Sequence, residues 1–153
     1  MFKWLSSSPK PDLPRAKQGE TVQYLIVRQD LDMSPGKMGA QCSHASSSIA
    51  LAQHGVQRHI RGAEHLGSHQ QAHQQWVTTS FAKVVLRAKR RQDLLKVCDQ
   101  LDEANIPYAP IFDACRTELS PEEPNGSTLT CIGISPLFRD DIPPFLRKLQ
   151  VFK

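Results

Sequence analysis

One stretch of the chain, residues 24–53, contains a buried strand and the helix that follows it, and reads YLIVRQDLDMSPGKMGAQCSHASSSIALAQ. Its opening run, YLIV, is continuously apolar, which is typical of a strand buried on both faces. Ser34 is a suitable helix N-cap, and Pro35 suits the first helical position, where a missing N–H costs nothing. We therefore predict a strand beginning near Val22 and a helix from about Pro35 to about Gln53.

The predicted helix carries two stripes of side chains at helical spacing. The wider stripe is mostly apolar and is expected to face the core: Met38, Cys42, Ala45, Ile49 and Ala52. The narrower stripe is polar and runs along the border of the first: Lys37, Gln41, His44 and Ser48. Polar groups collected beside a core face can line a cleft, so we expect functional side chains in the second stripe.

The rest of the chain alternates between strand and helix patterns. Three more strands are predicted from apolar runs, at residues 83–87, 108–113 and 128–134. Pro110 favours an edge position for the strand that contains it. Leucines at helical spacing predict a helix that Asn105 and Pro107 end, and a short last helix is expected to start near Asp141. This order predicts an α/β fold: a single three-layer α/β/α domain with a mixed four-stranded sheet.

Composition divides the chain into a tail, a domain and an insertion. Residues 1–20 are rich in Ser, Pro and Lys and are expected to form a disordered tail. Residues 21–153 are expected to form the domain. Within it, residues 53–75 hold five histidines and many glutamines, and we interpret them as an insertion, partly helical at best, with little core contact.

Several classes of protein are disfavoured by the composition. No apolar run approaches the roughly 20 residues that span a bilayer, so no membrane association is expected. The four cysteines form no C-x-x-C pair, and residues 1–19 lack the apolar core of a signal peptide. Free thiols in a reducing compartment are therefore expected. A cytoplasmic location fits this best; a mitochondrial one is left open by the basic residues of the tail.

Basic residues are concentrated in one part of the chain, although the net charge is only +4. Residues 54–92 carry seven Lys and Arg side chains against one acid, Glu64. This segment is either a phosphate-binding surface or a solvated basic face. The two interpretations differ in the salt dependence that they predict for binding to an anionic partner.

Two segments combine the side chains expected of a chemical site. Lys37 falls at a helix N-terminus, where the backbone N–H groups and the helix dipole already favour an anion. Asp113, Arg116 and Thr117 fall at the end of a predicted strand. Because ligands of α/β sheets bind beyond the carboxyl ends of strands, the two segments are predicted to share one cleft.

Together the two segments resemble the type 2 peptidyl-tRNA hydrolase family, the form typical of archaea and eukaryotes. The family pattern G-K-x-A-A-Q-x-x-H-A is matched by residues 36–45, with Gly39 in place of its first alanine, and D-A-G-R-T by residues 113–117. Residues 27–31 are similar to the family's V-R-x-D-L, and the resemblance covers about residues 22–153. It implies an α/β enzyme, often a homodimer, that cleaves the ester between a peptide and the 3′ end of tRNA. No cofactor or metal is expected.

The resemblance also implies the residues of the site. The implied catalytic residues are Lys37, Asp113, Thr117 and, as an alternative base, His44; the implied substrate-binding residues are Gln41 and Arg116. Ester hydrolysis requires an activated water and a stabilised oxyanion. Asp113 could position or deprotonate the water, and Lys37 could balance the developing charge. Arg116 could hold a phosphate of the tRNA acceptor end.

Three departures from the family pattern leave a second function open. Cys115 replaces a glycine, which matters if that glycine used a positive φ. Glu118 stands where the family often has glutamine, and the loop of residues 119–126 is long and acidic. The alternative is a non-catalytic or weakly active member of the same fold that binds tRNA or a protein.

Two other chemistries are disfavoured by the sequence. His65, His69 and His73 are four residues apart and could share a helix face that binds a metal, but no acid or cysteine accompanies them. Cys115 could act as a nucleophile, but no histidine partner is fixed by the sequence.

Overall fold

The computed structural model describes residues 19–153, so the predicted disordered tail lies almost wholly outside the described residues. This part of the chain forms five strands: β1 (Thr21–Arg28), β2 (Lys83–Ala88), β3 (Tyr108–Asp113), β4 (Thr128–Ile134) and β5 (Leu137–Phe138). It forms four α-helices: α1 (Pro35–Gln53), α2 (Gln70–Thr78), α3 (Arg91–Glu103) and α4 (Pro144–Arg147). Two 3₁₀ helices complete it, at Ala63–His69 and Arg139–Asp141.

The strands form one mixed sheet in the order β2-β1-β4-β3. β1 is parallel to β2 and antiparallel to β4, which is antiparallel to β3. β1, β2 and β3 therefore run in the same direction, and their carboxyl ends meet at one edge of the sheet, which we call the carboxyl edge. β3 is the outermost strand on its side, as Pro110 predicts. The four predicted strands are confirmed; the two-residue β5, which pairs with the start of β1, is too short for its sequence to show alternation.

Helices cover both faces of the sheet, which confirms the predicted three-layer α/β/α fold. On one face, Ile26 of β1 belongs to the same buried cluster as Leu94 of α3. On the other face, Leu25 of β1 belongs to a cluster with Ala45 of α1. β1 is thus buried on both sides, as its continuous apolar run indicates.

Helix α1 is pressed closely against β4. A Cβ atom at Gly133 would lie 2.6 Å from the carbonyl oxygen of Ala45, so any larger residue at this position would push the helix away. The start of the helix is fixed as well, because the Ser34 hydroxyl accepts a hydrogen bond from the Lys37 backbone N–H at 3.2 Å. The predicted N-cap is confirmed, and it places the first turn of α1 beside the carboxyl edge.

The predicted insertion is more ordered than the sequence indicates. Its second half forms a 3₁₀ helix and α2, and Ala72 and His73 are buried. The expectation of little core contact is therefore wrong for this half. The physical reason is Trp76, which is fully buried. Ala72 and His73 lie one helical turn before it on the same helix, so they are buried with it.

The last helix also differs from the prediction. Residues 139–141 form a 3₁₀ turn, and α4 begins at Pro144 rather than near Asp141. Pro143 is the N-cap and Pro144 takes the first helical position, where proline is tolerated. Among residues 19–153, no helix combines the length and the apolar character needed to cross a membrane.

Candidate active site

The ammonium group of Lys37 and the carboxylate of Asp113 meet at the carboxyl edge, with 2.6 Å between Nζ and Oδ2. Lys37 lies in the first turn of α1, just after β1, and Asp113 is the last residue of β3. The two side chains are 14% and 10% exposed, so the pair is shielded from bulk water but still reachable. The two groups, which the sequence predicts to lie together, are therefore in contact in the structure.

The buried side chain of Gln41 binds the carboxylate of Asp113. Its Nε2 donates to Asp113 Oδ2 at 3.0 Å, and its Oε1 accepts from the Thr130 hydroxyl at 2.7 Å. A carboxylate only accepts, so these contacts fix the orientation of the amide. Both ends of Gln41 are engaged within the protein, which favours a positioning role over the predicted substrate-binding one. Thr130, on β4, was not anticipated because a buried strand threonine has no distinctive sequence pattern.

Cys115 has a left-handed backbone conformation, with φ of 53°. A residue other than glycine thus takes a positive φ at this position, a conformation that glycine adopts more readily. The turn aims the Cys115 N–H at Asp113 Oδ1, with a distance of 2.8 Å. The thiol lies 3.4 Å from the Asp113 carbonyl oxygen and 3.4 Å from the Thr128 hydroxyl. Neither contact of the sulfur is with a histidine, which gives no support to a nucleophilic Cys115.

These contacts hold Asp113 in its ionised form. Burial opposes ionisation, but the hydrogen bonds from Lys37, the Cys115 N–H and Gln41 outweigh it and lower the pKa of Asp113 below its ordinary value of 3.8. At neutral pH the site therefore presents a carboxylate that is a weak base, beside an ammonium group.

Glu118 fastens the loop after β3 to the start of α1. Its two carboxylate oxygens accept from the backbone N–H and the hydroxyl of Ser34, at 2.8 and 2.7 Å. These bonds lower the pKa of Glu118. The Glu118 carboxylate, which departs from the family pattern, is thus bonded to Ser34 of the same chain. It joins the two segments that carry Lys37 and Asp113.

Of the remaining predicted site residues, Thr117 contacts the Lys37–Asp113 pair, whereas Arg116 and His44 do not. The Lys37 ammonium donates to the Thr117 hydroxyl at 3.3 Å, so Thr117 joins the pair. Arg116 is exposed and has no ion pair or hydrogen bond within residues 19–153. His44 is also exposed and, within the same residues, makes no hydrogen bond to any part of the site. The structure therefore brings together Lys37, Gln41, Asp113 and Thr117, and leaves His44 one turn away along α1.

The acidic loop of residues 119–126 is neutralised by two arginines. Glu122 pairs with Arg28, and Glu123 pairs with Arg91 at 2.5 Å. Arg28 also binds Asp30, with 2.7 Å between Nη2 and Oδ2. The negative charges of the two glutamates are thus compensated within the protein.

The basic residues of segment 54–92 do not form one surface. Three of them are engaged elsewhere: Arg61 pairs with Asp102 at 3.0 Å, Arg91 pairs with Glu123, and Lys83 lies over the Phe81 ring. Three other basic residues of the segment line a groove of 570 Å³ beside β2: Arg87, Lys89 and Arg90. Lys96 and Lys148, from outside the segment, line the same groove. We call this the basic groove. Its one acid is Asp93, which bonds Arg90.

The three histidines at four-residue spacing have separate surroundings. His65 lies 3.7 Å from Glu64, His69 lies 3.3 Å from the Asn105 carbonyl oxygen, and His73 is buried beside Trp76. Within residues 19–153, no three His, Cys, Asp or Glu side chains are arranged to bind a metal ion.

Comparison with known proteins bears on the same residues. Residues 21–152 match the family model described as peptidyl-tRNA hydrolase PTH2. The peptidyl-tRNA hydrolase of Staphylothermus marinus is 33% identical over 117 residues, which are 76% of this chain and 83% of that protein. That of Haloquadratum walsbyi is 30% identical over 130 residues, 85% of this chain and 98% of that protein. That of Sulfolobus acidocaldarius is 31% identical over 112 residues, 73% of this chain and 83% of that protein.

Proposed function

The chain belongs to the peptidyl-tRNA hydrolase PTH2 family, and we propose that the contact between Lys37 and Asp113 is the catalytic centre of the reaction that the family catalyses. As a hydrolase of this family, the chain acts on the ester bond of peptidyl-tRNA. The observation that carries the proposal is the 2.6 Å approach of an ammonium and a carboxylate that reach the carboxyl edge from a helix and from a strand.

The reaction adds water across one ester bond. The water oxygen forms a bond to the ester carbonyl carbon, the bond from that carbon to the ribose oxygen breaks, and the ribose oxygen takes a proton. Asp113 accepts a hydrogen bond from the attacking water and orients it. Because the pKa of Asp113 is lowered, orientation rather than strong deprotonation is the role that fits. The Lys37 ammonium stabilises the oxyanion that develops on the carbonyl oxygen.

Donor counting supports the role of Lys37. An ammonium group has three N–H donors. One is directed at Asp113 and one at the Thr117 hydroxyl, which leaves one for a substrate oxygen among the described contacts. Thr117 fixes the direction of the third donor, and its own hydroxyl hydrogen remains able to bond the substrate or the water.

The tRNA contacts follow from exposed cations near the same edge. Arg116 is exposed beside Asp113 and is suited to a phosphate of the acceptor end. The basic groove begins at the carboxyl end of β2, three strand positions from β3, which corresponds to about 14 Å at about 4.8 Å per strand. We assign the phosphates of the acceptor stem to this groove, since it gathers five cations against one acid and cations neutralise a phosphate backbone.

Assembly and location complete the proposal. The family resemblance supports a homodimer, which light scattering on the purified chain would test. A substrate produced by translation supports a cytoplasmic location, and a mitochondrial one would also supply it; fractionation of cells that express the tagged full chain would separate the two.

The test is hydrolysis of an N-acetyl-aminoacyl-tRNA by the full chain and by Asp113→Asn. The asparagine keeps the shape of the side chain but removes the charge that orients the water and balances Lys37. We expect kcat to fall by about 10²–10⁴-fold, the range typical of a positioned acid or base.

The matched control is Asp102→Asn, which removes the carboxylate of an ion pair, with Arg61, that lies outside the site. It should leave kcat unchanged. An Asp113→Asn protein that hydrolyses the substrate at the rate of the unaltered chain would refute the assignment.

A further inference from the structure

A cavity of 480 Å³ lies beside the catalytic pair and has no role in the chemistry described above. Three elements line it: His44 and Ser48 of α1, residues 110–112 of β3, and residues 57–59 of the insertion. We call it the insertion cavity, because the insertion closes one of its sides. Its volume falls within the range of about 300–1,000 Å³ that is usual for small-molecule pockets.

The walls that β3 and α1 supply place the insertion cavity next to the Lys37–Asp113 pair. Phe112 directly precedes Asp113, and the ladder between β3 and β4 is interrupted by an irregularity between Ile111 and Phe112. His44 lies about one helical turn beyond Gln41, whose amide bonds Asp113. A substrate whose ester carbonyl lies at the Lys37–Asp113 pair therefore has one of its two halves next to this cavity.

The lining has an aromatic ring and a cation but no acid. Phe112 is 46% exposed, so its ring is accessible to a ligand. Arg58 is exposed and bonds the buried Ser48 hydroxyl at 3.4 Å, and within residues 19–153 it has no carboxylate partner. An exposed ring with a nearby unpaired guanidinium is the combination that binds single-stranded nucleic acid, through base stacking and phosphate contact.

We propose that the insertion cavity binds the base of the 3′-terminal nucleotide of the substrate tRNA, stacked on Phe112, with Arg58 contacting a phosphate of the acceptor end. The inference rests on the proposed function for the identity of the substrate. The terminal nucleotide is the same in every tRNA, whereas the peptide varies, so a preformed cavity with a fixed cation suits the constant half of the substrate.

In this proposal the insertion contributes directly to substrate binding. Its residues 57–59 bring Arg58 to the cavity that Phe112 also lines, and the contact with Ser48 holds the guanidinium against α1. The segment that composition separates from the core is thus part of the substrate site.

The experiment compares two probes that contain no ester. One is the trinucleotide CCA, and the other is the same trinucleotide without its terminal base. The unaltered chain should bind the complete trinucleotide about 5–100-fold more tightly, the range expected for one base stacked on an aromatic side chain. Phe112→Leu should remove most of this preference, and Phe112→Tyr should keep it.

Phe81→Leu is the matched control. Phe81 is 51% exposed, so its accessibility is similar, but it precedes β2 at the opposite edge of the sheet. The same substitution there should leave the preference for the complete trinucleotide intact. Arg58→Gln should weaken binding of both probes to a similar extent, because a phosphate contact does not distinguish them.

Three results would overturn the proposal. The first is an undiminished preference in Phe112→Leu. The second is an unaltered chain that does not distinguish the two probes or binds neither. The third is a Phe112→Leu enzyme that changes its preference between N-acetylglycyl- and N-acetylphenylalanyl-tRNA while it still recognises the base, which would place the peptide in the cavity. Because the binding probes carry no ester, a failure of the catalytic assignment would be seen separately, in the hydrolysis assay.

Discussion

Two groups of paired charges lie at the carboxyl edge of this sheet, and they differ in how completely their donors are used. At the end of β1, all five N–H donors of Arg28 have acceptors, supplied by Asp30, Glu122 and the Leu129 carbonyl. At the end of β3, Asp113 is held as firmly, but the Lys37 ammonium keeps one donor without a partner among the described residues.

The difference indicates a structural role for Arg28 and a chemical role for Lys37. Arg28 is only 2% exposed, and its saturated guanidinium has no donor left for a ligand, so it ties the loops of the edge together. Lys37 is more exposed and unsaturated, so it can exchange partners when a substrate enters. An ion pair is therefore a candidate active site where its cation keeps an unused N–H donor. It is a structural clamp where every donor of the cation has an acceptor.

The largest effect is expected from Lys37→Met. The substitution keeps the length of the side chain and removes the cation that stabilises the oxyanion. We expect kcat to fall by about 10²–10³-fold, as for the loss of an oxyanion donor. Asp113 would keep its bonds to Gln41 and Cys115, so the loss of its cation should lower the free energy of unfolding by about 1–2 kcal/mol. Hydrolysis assays and urea unfolding measure the two quantities, and a protein destabilised as much as it is inactivated would remove the contrast with Arg28.

Arg28→Met should give the reverse result. It leaves Asp30 and Glu122 without their shared cation. We expect the free energy of unfolding to fall by about 2–3 kcal/mol, less than the roughly 3–5 kcal/mol of a fully buried pair, because the two carboxylates are about one-third exposed. The kcat of the folded protein should change by less than about tenfold. Unchanged stability in urea would show that the saturated cluster is not a clamp.

A smaller effect is expected from the basic groove. Replacing both Lys96 and Lys148 with Gln should raise KM for N-acetyl-aminoacyl-tRNA several-fold and should flatten the dependence of binding on salt. A short substrate that ends in CCA should show no change, because it does not reach the groove. Arg139→Gln, which removes a cation at the opposite edge, serves as the control. A salt dependence identical to that of the unaltered chain would mean that the groove is only a solvated basic face.

The smallest effect concerns protonation. Burial alone raises the pKa of Asp113, and Lys37 is among the groups that lower it. In the unaltered chain the carboxyl should titrate below 3.8, and in Lys37→Met its pKa should rise, whereas that of Asp30, held by Arg28, should stay low. Carbon-13 NMR of the aspartate carboxyls measures both. Since a lowered pKa stabilises the folded state above the unfolded pKa, the contribution of Asp113 to stability should be lost as pH falls below about 4.

Much of the site was predictable because its parts are local in sequence. The N-cap at Ser34 and the polar stripe on α1 follow from short-range patterns. The end of β3 at Asp113 is equally local, and the common direction of β1 and β3 brings these parts together.

The rest depends on contacts between distant segments. The bond from Thr130 that fixes Gln41, and the attachment of Glu118 to Ser34, join positions that no local pattern relates. The burial of His73 depends in the same way on Trp76, since the composition of the insertion is that of a solvated segment.

The central claim is that Lys37 and Asp113 act as one unit, and a double-mutant cycle tests it most directly. Single-turnover hydrolysis of N-acetyl-aminoacyl-tRNA would be measured for Lys37→Met, Asp113→Asn and the double variant. If the two groups act on the same transition state, the double variant should be about as slow as the slower single variant. Losses that multiply, or single variants that retain the full rate, would contradict the claim.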